Sequence, residues 1–195
     1  SVVGRLPSPR PGSWARGFVE GTVVHLGRFV TGDAGIVFTE ATAVQKSGRI
    51  THGCPGRWAD SQIAGHARVV QFARRHGAIL VIQLAHAGGK SGMQRPWYSN
   101  GPRDQEDFVC GDMPGPVVWP SVLPVKVGSS LPIALSEADI DALIADFAVA
   151  AELRLSAGYQ IAEVHGAHGY SLHIFLSPLS NHRAAGYGGS LTQVP

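Results

Sequence analysis

The sequence predicts an α/β fold with parallel strands, because segments with helical features alternate with short apolar runs. The runs lie at residues 35–41, 78–85 and 159–165. A segment with helical features precedes each run, and the first of these segments is 13–30. Their length and their β-branched and aromatic content are typical of buried strands. Strands separated by helices pair in parallel, because the helix carries the chain back across the sheet. Periodicity alone does not separate a closed barrel from an open, doubly wound sheet.

The second and third helices carry start and stop signals. Asp60 is placed to cap a helix that runs to about His76, and Gly77 suits the left-handed position that follows a helix. At the third helix, Ser136 and Asp139 have the spacing of a capping box, with Asp in place of the usual Glu. These local signals predict where the second helix begins and ends and where the third begins.

The chain is expected to form one incomplete domain over residues 13–195, after an unstructured lead-in. Residues 1–12 contain three prolines and show no periodicity. Within the domain, residues 86–135 are irregular and rich in Pro and Gly. So long an excursion is more often a functional loop or lid than a simple connection.

Composition excludes several classes of protein. The chain has 195 residues, of which 44% are hydrophobic and 15% charged, and its formal net charge is +2. This charge is too small to indicate a nucleic-acid or membrane-surface partner, and the hydrophobic content is too high for disorder. No window approaches the ~18 uninterrupted apolar residues of a transmembrane helix. Cys54 and Cys110 form no disulfide framework, so a reducing, cytoplasmic location is expected.

The densest polar cluster follows the third predicted strand, where parallel α/β folds place their ligands. It contains His165, His168 and Tyr170. Two imidazoles could donate N–H groups to one substrate oxygen, and a nearby phenol could donate a proton. Two other interpretations stay open. Both histidines could be structural, or they could bind a metal together with His173 or His182.

Gln83 and Ala41 lie at the ends of the other two predicted strands. A side-chain amide both donates and accepts, as reading the edge of a heterocycle requires. A small residue such as Ala41 could let a flat ring approach the backbone. Each residue also has a simpler interpretation, because Gln83 could bond its own backbone and Ala41 could be a core residue.

Three motifs resemble the Old Yellow Enzyme family of FMN-dependent oxidoreductases. Residues 163–190 read EVHGAHGYSLHIFLSPLSNHRAAGYGGS and closely resemble the signature of that family. Residues 82–90 read IQLAHAGGK and resemble its second hallmark. The segments FTEATAV and GRITHG, around residues 38–53, match an earlier part of the family in order and spacing. The likeness covers roughly residues 20–190, and it favours the bacterial NADPH dehydrogenases and ene-reductases.

The resemblance implies a (β/α)₈ TIM barrel with FMN at its C-terminal face and NADPH or NADH as reductant. In the family's terms, His165 and His168 would bind the oxygen of an activating carbonyl or nitro group. Tyr170 would protonate the α-carbon of the alkene, while reduced flavin delivers hydride to the β-carbon. Ala41 and Gln83 match positions that contact the flavin ring, and His165 would lie near its pyrimidine edge.

The expected activity is therefore that of an NAD(P)H:flavin oxidoreductase, an ene-reductase, acting on small α,β-unsaturated carbonyl or nitro compounds. Neither nucleic acid nor a membrane is expected as a partner, and the complete protein could form a homo-oligomer. The two alternatives are a metal-dependent TIM-barrel hydrolase that uses the two histidines and an inactive, truncated remnant of a flavin enzyme.

The chain also departs from the family's pattern. The family's first strand, with a Pro and a flavin-facing Cys or Thr, has no counterpart before residue 20. Gly89 stands where close relatives have Arg, and residues 184–186 replace an acidic stretch. After Ser190 the family continues with an Asn-Arg pair and further strands. These departures predict a partial barrel with about strands 2–4, and we expect the isolated chain to bind FMN weakly or not at all.

Overall fold

A computed structural model describes residues 14–51, 53–56, 60–94, 101, 116–122, 132–184 and 186–189. The predicted lead-in, Cys110 and much of the predicted excursion lie outside these ranges. The helices and strands follow one another in the order α1 (Trp14–Val30), β1 (Ile36–Ala43), α2 (Ile63–Arg75), β2 (Ile79–Ala85), β3 (Val118–Trp119), β4 (Ile133–Ala134), α3 (Glu137–Ala157), β5 (Ile161–Val164) and α4 (Ser171–Leu176).

Three parallel strands form the main sheet in the order β1-β2-β5. The predicted α/β class and the parallel pairing are therefore confirmed. A bulge in β1 shifts the register, so that Phe38 pairs with Val81 while Ala41 pairs with Gln83. Bulges bend a strand and re-aim its side chains. This one directly precedes Ala41, which is predicted to contact a ligand.

The helices cover one face of this sheet. Alternate strand residues such as Val37, Leu80 and Ile82 pack with Leu26 of α1 and Leu143 of α3 in a single hydrophobic core. This packing follows from the alternation of side chains along a strand, which places every second residue on the helical side. None of the helices in the described part of the chain is long and apolar enough to cross a membrane.

The expectation that β1 is fully buried is wrong. Ile36 and Phe38 are 55% and 51% exposed, while Val37 and Thr39 between them are buried. The run of apolar residues indicated a strand covered on both sides. Among the described residues, however, helices cover only the face that holds Val37.

Two of the three predictions about helix ends are confirmed, and one is wrong. Ser136 and Asp139 form the expected capping box, in which the Asp139 N–H donates to Ser136 Oγ (3.2 Å) and the Ser136 N–H donates to Asp139 Oδ2 (2.9 Å). Gly77 adopts the expected left-handed conformation, with φ of 77°. The prediction for Asp60 is wrong, because it begins a 3₁₀ turn and Gln62 occupies the N-cap of α2 without a side-chain cap.

The third predicted strand is shorter than expected. It begins at Ile161, and the preceding Tyr159 is buried beneath α2, where its hydroxyl lies 2.9 Å from Nδ1 of His66. The predicted excursion 86–135 also contains regular structure, because β3 pairs in parallel with β4. Arg183 ties the ends of both short strands to the loop after α4 by donating to the carbonyls of Pro120 and Leu135.

Candidate active site

The predicted polar cluster begins where β5 ends. The His165 N–H donates to the carbonyl of Leu84 (2.8 Å), so the pairing of β5 with β2 continues one residue beyond the strand. This bond places His165 at the carboxyl edge of the sheet, where its side chain is 8% exposed. The sheet therefore fixes the first residue of the cluster directly.

A tight turn then carries the chain from His165 to Tyr170. His168 and Gly169 adopt left-handed conformations, with φ of 59° and 70°, and the Tyr170 N–H donates to the carbonyl of Ala167 (3.2 Å). A left-handed conformation costs a non-glycine residue roughly 1–2 kcal/mol, so outside contacts must hold His168 in place. Lys90 provides one, because its ammonium donates to the His168 carbonyl (2.6 Å).

The turn gathers the three predicted side chains. The ring centroids of His165 and His168 are 5.1 Å apart, and those of His165 and Tyr170 are 5.0 Å apart, both in edge-to-face arrangements. The His168 and Tyr170 rings are 6.4 Å apart. Nδ1 of His168 lies 3.3 Å from Nε2 of His165, so these two nitrogens are within hydrogen-bond distance of each other.

Burial shifts the pKa values of two of these groups away from neutral pH. It lowers the pKa of His165, and the neighbouring His168 lowers it further, while the Glu163 carboxylate opposes both. Burial raises the pKa of the Tyr170 phenol, and Cys54 adds to that effect. At neutral pH the site therefore holds a neutral His165 and a protonated Tyr170.

A polar row crosses the sheet beside this cluster. Ala41, Gln83 and Glu163 are register partners on β1, β2 and β5. The Gln83 amide donates from Nε2 to Oε2 of Glu163 (2.9 Å), and the Gln83 N–H donates to Oγ1 of Thr39 (3.2 Å). The simpler interpretation, a loop amide bonded to its own backbone, therefore does not describe Gln83.

This row fits the uncharged edge of a heterocycle. Because a carboxylate only accepts, Glu163 engages the amino group of Gln83 and leaves its carbonyl oxygen as an acceptor for a ring N–H. The half-buried Ala41 adds no bulk beside it. The amide oxygen of Gln83 and the small Ala41 side chain match the requirement of a flavin ring better than that of a metal ion. The described residues also contain no cluster of three or more His, Cys, Asp or Glu side chains that could hold a metal.

The sequence did not predict a role for Glu163 or Lys90. Glu163 stands two residues before His165, so the period of a strand places both on one face. That spacing was a usable signal. No comparable signal exists for Lys90, because its contact with His168 joins residues 78 positions apart.

Comparisons with known proteins show the family of the chain. The model of the NADH:flavin oxidoreductase / NADH oxidase family matches residues 21–193. The chain belongs to this family. FMN is the cofactor of the family, and nicotinamide nucleotides are its reductants. The predicted resemblance is confirmed, and nothing in the comparisons supports the alternative of a metal-dependent hydrolase.

Individual family members show the same relationship. An NADH:flavin oxidoreductase of Gibberella zeae is 41% identical over 170 residues, which are 86% of this chain and 40% of that protein. An NADPH dehydrogenase of Listeria innocua is 39% identical over 171 residues, which are 86% of this chain and 45% of that protein. The chain thus spans less than half the length of these relatives.

Solved structures extend the likeness to the fold. Morphinone reductase in complex with tetrahydroNAD superposes with a TM-score of 0.70 and 28% identity, over 87% of this chain and 46% of that one. Old Yellow Enzyme from a Pichia species gives a TM-score of 0.73 at 23% identity, over 88% and 44% of the two chains. These neighbours are TIM barrels, so the three-stranded sheet corresponds to part of one.

Proposed function

We propose that this protein is an FMN-dependent ene-reductase that uses NAD(P)H to reduce C=C bonds activated by a carbonyl or nitro group. The observation that carries the proposal is the convergence of His165, His168 and Tyr170 at the carboxyl edge of the sheet. Net reduction adds a hydride to the β-carbon and a proton to the α-carbon of the alkene, so the site must polarise the substrate and supply that proton.

The two imidazoles bind the activating oxygen. Their facing nitrogens are 3.3 Å apart, so both can reach one oxygen atom. Without a ligand one nitrogen donates to the other. A substrate oxygen accepts from both only when each facing nitrogen carries a hydrogen, and it therefore replaces the bond between the rings. Two N–H groups aimed at this oxygen stabilise the negative charge that develops there during hydride addition.

Tyr170 supplies the proton. Its phenol is protonated at neutral pH, and burial raises its pKa further above the ordinary value. Its ring lies 5.0 Å from that of His165, and this proximity supports a phenol that would stand beside the polarised end of the substrate. Donating this proton to the α-carbon completes the reduction, and the site regains a proton from solvent before the next turnover.

Ala41, Gln83 and His165 would hold the flavin ring. When bound, FMN would supply the hydride that it has received from the nicotinamide. The carbonyl oxygen of Gln83 would accept an N–H of the ring edge, and the small Ala41 side chain would let the ring lie close to β1. His165 follows Glu163 on the same strand face, where it would contact both the ring and the substrate.

The proposal is tested by comparing the two half-reactions of a Tyr170→Phe variant. Alkene reduction by the pre-reduced protein should slow by about 10²-fold or more, because the general acid is lost. Reduction of the flavin by NADPH should keep its rate, since it needs no phenol proton. Tyr187→Phe is the matched control, because its hydroxyl donates to Asp141 and not into the site. An equal loss in both half-reactions of Tyr170→Phe would contradict the proton-donor role.

A further inference from the structure

His86 lies just beyond β2 and binds the first residue of α4. The Ser171 hydroxyl lies 2.6 Å from Nδ1 of His86, and the Ser171 N–H donates to the His86 carbonyl (3.0 Å). The side chain of His86 is 2% exposed, and none of the roles assigned above uses it. Two hydrogen bonds therefore join the tip of β2 to the residue that follows Tyr170.

The contacts of His86 determine its tautomer. The Gly88 N–H donates to Nδ1 (3.1 Å), and because a backbone N–H cannot accept, Nδ1 must be the unprotonated nitrogen. The hydrogen of the neutral ring is then on Nε2, and Ser171 is the donor of its own bond to Nδ1. A protonated imidazole would carry a hydrogen on Nδ1, so it would lose the bond from Gly88 and could only donate to the Ser171 hydroxyl. Within the described part of the chain, Nε2 itself has no hydrogen-bond partner.

One glycine packs against the His86 ring and another packs against Ser171. A Cβ atom at Gly48 would overlap the His86 ring, and a Cβ atom at Gly88 would lie 2.9 Å from Ser171 Oγ. Gly88 also has φ of 57°, which a residue with a side chain rarely adopts. The close approach of the ring to Gly48 and of Gly88 to Ser171 therefore depends on the absence of side chains.

Residues 86–90 contact the chain on both sides of Tyr170, which ends the catalytic turn of residues 165–170. His86 holds Ser171 after Tyr170, and Lys90 donates to the His168 carbonyl before it. Tyr170 lies between these anchors as the N-cap residue of α4, and its own side chain makes no capping bond. The backbone position of Tyr170 is therefore set by its neighbours.

We propose that neutral His86 is a positioning residue for Tyr170, acting through Ser171 and without touching substrate or flavin. The inference rests on the proposed role of Tyr170 as proton donor. Reacting groups must be placed to within a fraction of an ångström, and a displacement of about 1 Å can cost about 10²-fold in rate. Loss of the His86–Ser171 bonds should therefore lower the rate of alkene reduction and leave the rate of flavin reduction unchanged.

The test uses the FMN-loaded protein with His86→Leu and His86→Asn. Leu removes the acceptor, whereas Oδ1 of Asn can stand where Nδ1 stood and accept from Ser171 and Gly88. We expect His86→Leu to slow alkene reduction about tenfold or more, with flavin reduction by NADPH within about twofold, and His86→Asn to restore most of the loss. Equal slowing of both half-reactions by His86→Leu, or no restoration by His86→Asn, would overturn the proposal.

A second measurement is independent of activity and of folding defects in the Leu variant. Nitrogen NMR of the protein without FMN should show His86 as the neutral Nε2–H tautomer at pH 7. Ser171→Ala, which deletes only the hydroxyl, should speed exchange of the backbone amides at position 171 and at Gly88. A tautomer with hydrogen on Nδ1 would rule out the bonding described here. If Tyr170→Phe spared alkene reduction, the proposed function would fail, while these two readings would still report whether His86 holds Ser171.

Discussion

The side-chain amide of Gln83 donates a 2.9 Å hydrogen bond to the carboxylate of Glu163 on the neighbouring strand. Because a carboxylate can only accept, this bond decides which end of the amide remains for a ligand. The same carboxylate raises the pKa of His165 against the effect of burial. Glu163 therefore influences two of the residues that we propose contact the flavin.

Replacing Glu163 by Gln should weaken flavin binding. The new amide can donate as well as accept, so it no longer determines the orientation of Gln83, and part of the population presents the wrong end to the ring. We expect FMN affinity to fall about fivefold, corresponding to about 1 kcal/mol for one hydrogen bond. Quenching of FMN fluorescence measures the affinity of the complete protein. The pKa of His165, followed by NMR, should fall at the same time because the opposing negative charge is lost.

The control for this change is Glu152→Gln, which removes an exposed carboxylate on α3. It should leave FMN affinity and the His165 pKa unchanged. Equal FMN affinities for the Glu163 and Glu152 variants would show that Glu163 does not orient Gln83.

His86 should make the protein less stable in acid. Burial lowers its pKa from 6.5 to about 4, although Asp146 opposes the shift. Between about pH 6.5 and pH 4 the His86 imidazole therefore binds a proton in the unfolded chain but not in the folded chain. The free energy of unfolding falls as the pH drops through this range. This shift corresponds to about 3 kcal/mol. Urea unfolding at several pH values, compared between the wild type and His86→Asn, isolates this contribution. Parallel curves for the two proteins would show that His86 titrates normally.

Removing the second imidazole of the site should slow catalysis. In His168→Ala the activating oxygen keeps one donor, and loss of one such donor costs about 10²-fold in kcat. Steady-state rates with an α,β-unsaturated ketone measure the effect, and His168→Asn should recover part of the rate because it keeps an N–H donor. His182→Ala provides the control, because this histidine is exposed on the loop after α4. A His168→Ala enzyme as fast as the His182→Ala enzyme would remove His168 from the proposed mechanism.

Two glycines of the catalytic turn should differ in their tolerance of alanine. Gly169 has φ of 70°, and a Cβ atom there would lie 3.0 Å from the Lys90 ammonium. Gly169→Ala should therefore lower the free energy of unfolding by about 1–2 kcal/mol and slow alkene reduction. A Cβ atom at Gly166 would have no neighbouring atom within 4 Å. Gly166→Ala should therefore change neither the free energy of unfolding nor the rate of alkene reduction. Thermal and urea unfolding of the two variants measures the difference, and similar stabilities would contradict the strained turn.

Local chemistry in the sequence was enough to predict the main elements of the fold. The capping box of Ser136 and Asp139 and the left-handed Gly77 depend on residues within a few positions of one another. The three strand runs and their parallel pairing follow from composition and from the intervening helices. His165, His168 and Tyr170 are close in the chain, so their pattern indicated a site before any contact was known.

Tertiary structure decided how those residues are held. Gln83 meets Glu163 across 80 residues, Lys90 meets His168 across 78, and His86 meets Ser171 across 85. No local preference encodes such contacts, because they form only when the parallel sheet brings the ends of β2 and β5 side by side. The sequence by itself determined which groups are available for chemistry. The sheet decided their orientation and protonation, because burial and long-range hydrogen bonds exist only in the folded chain.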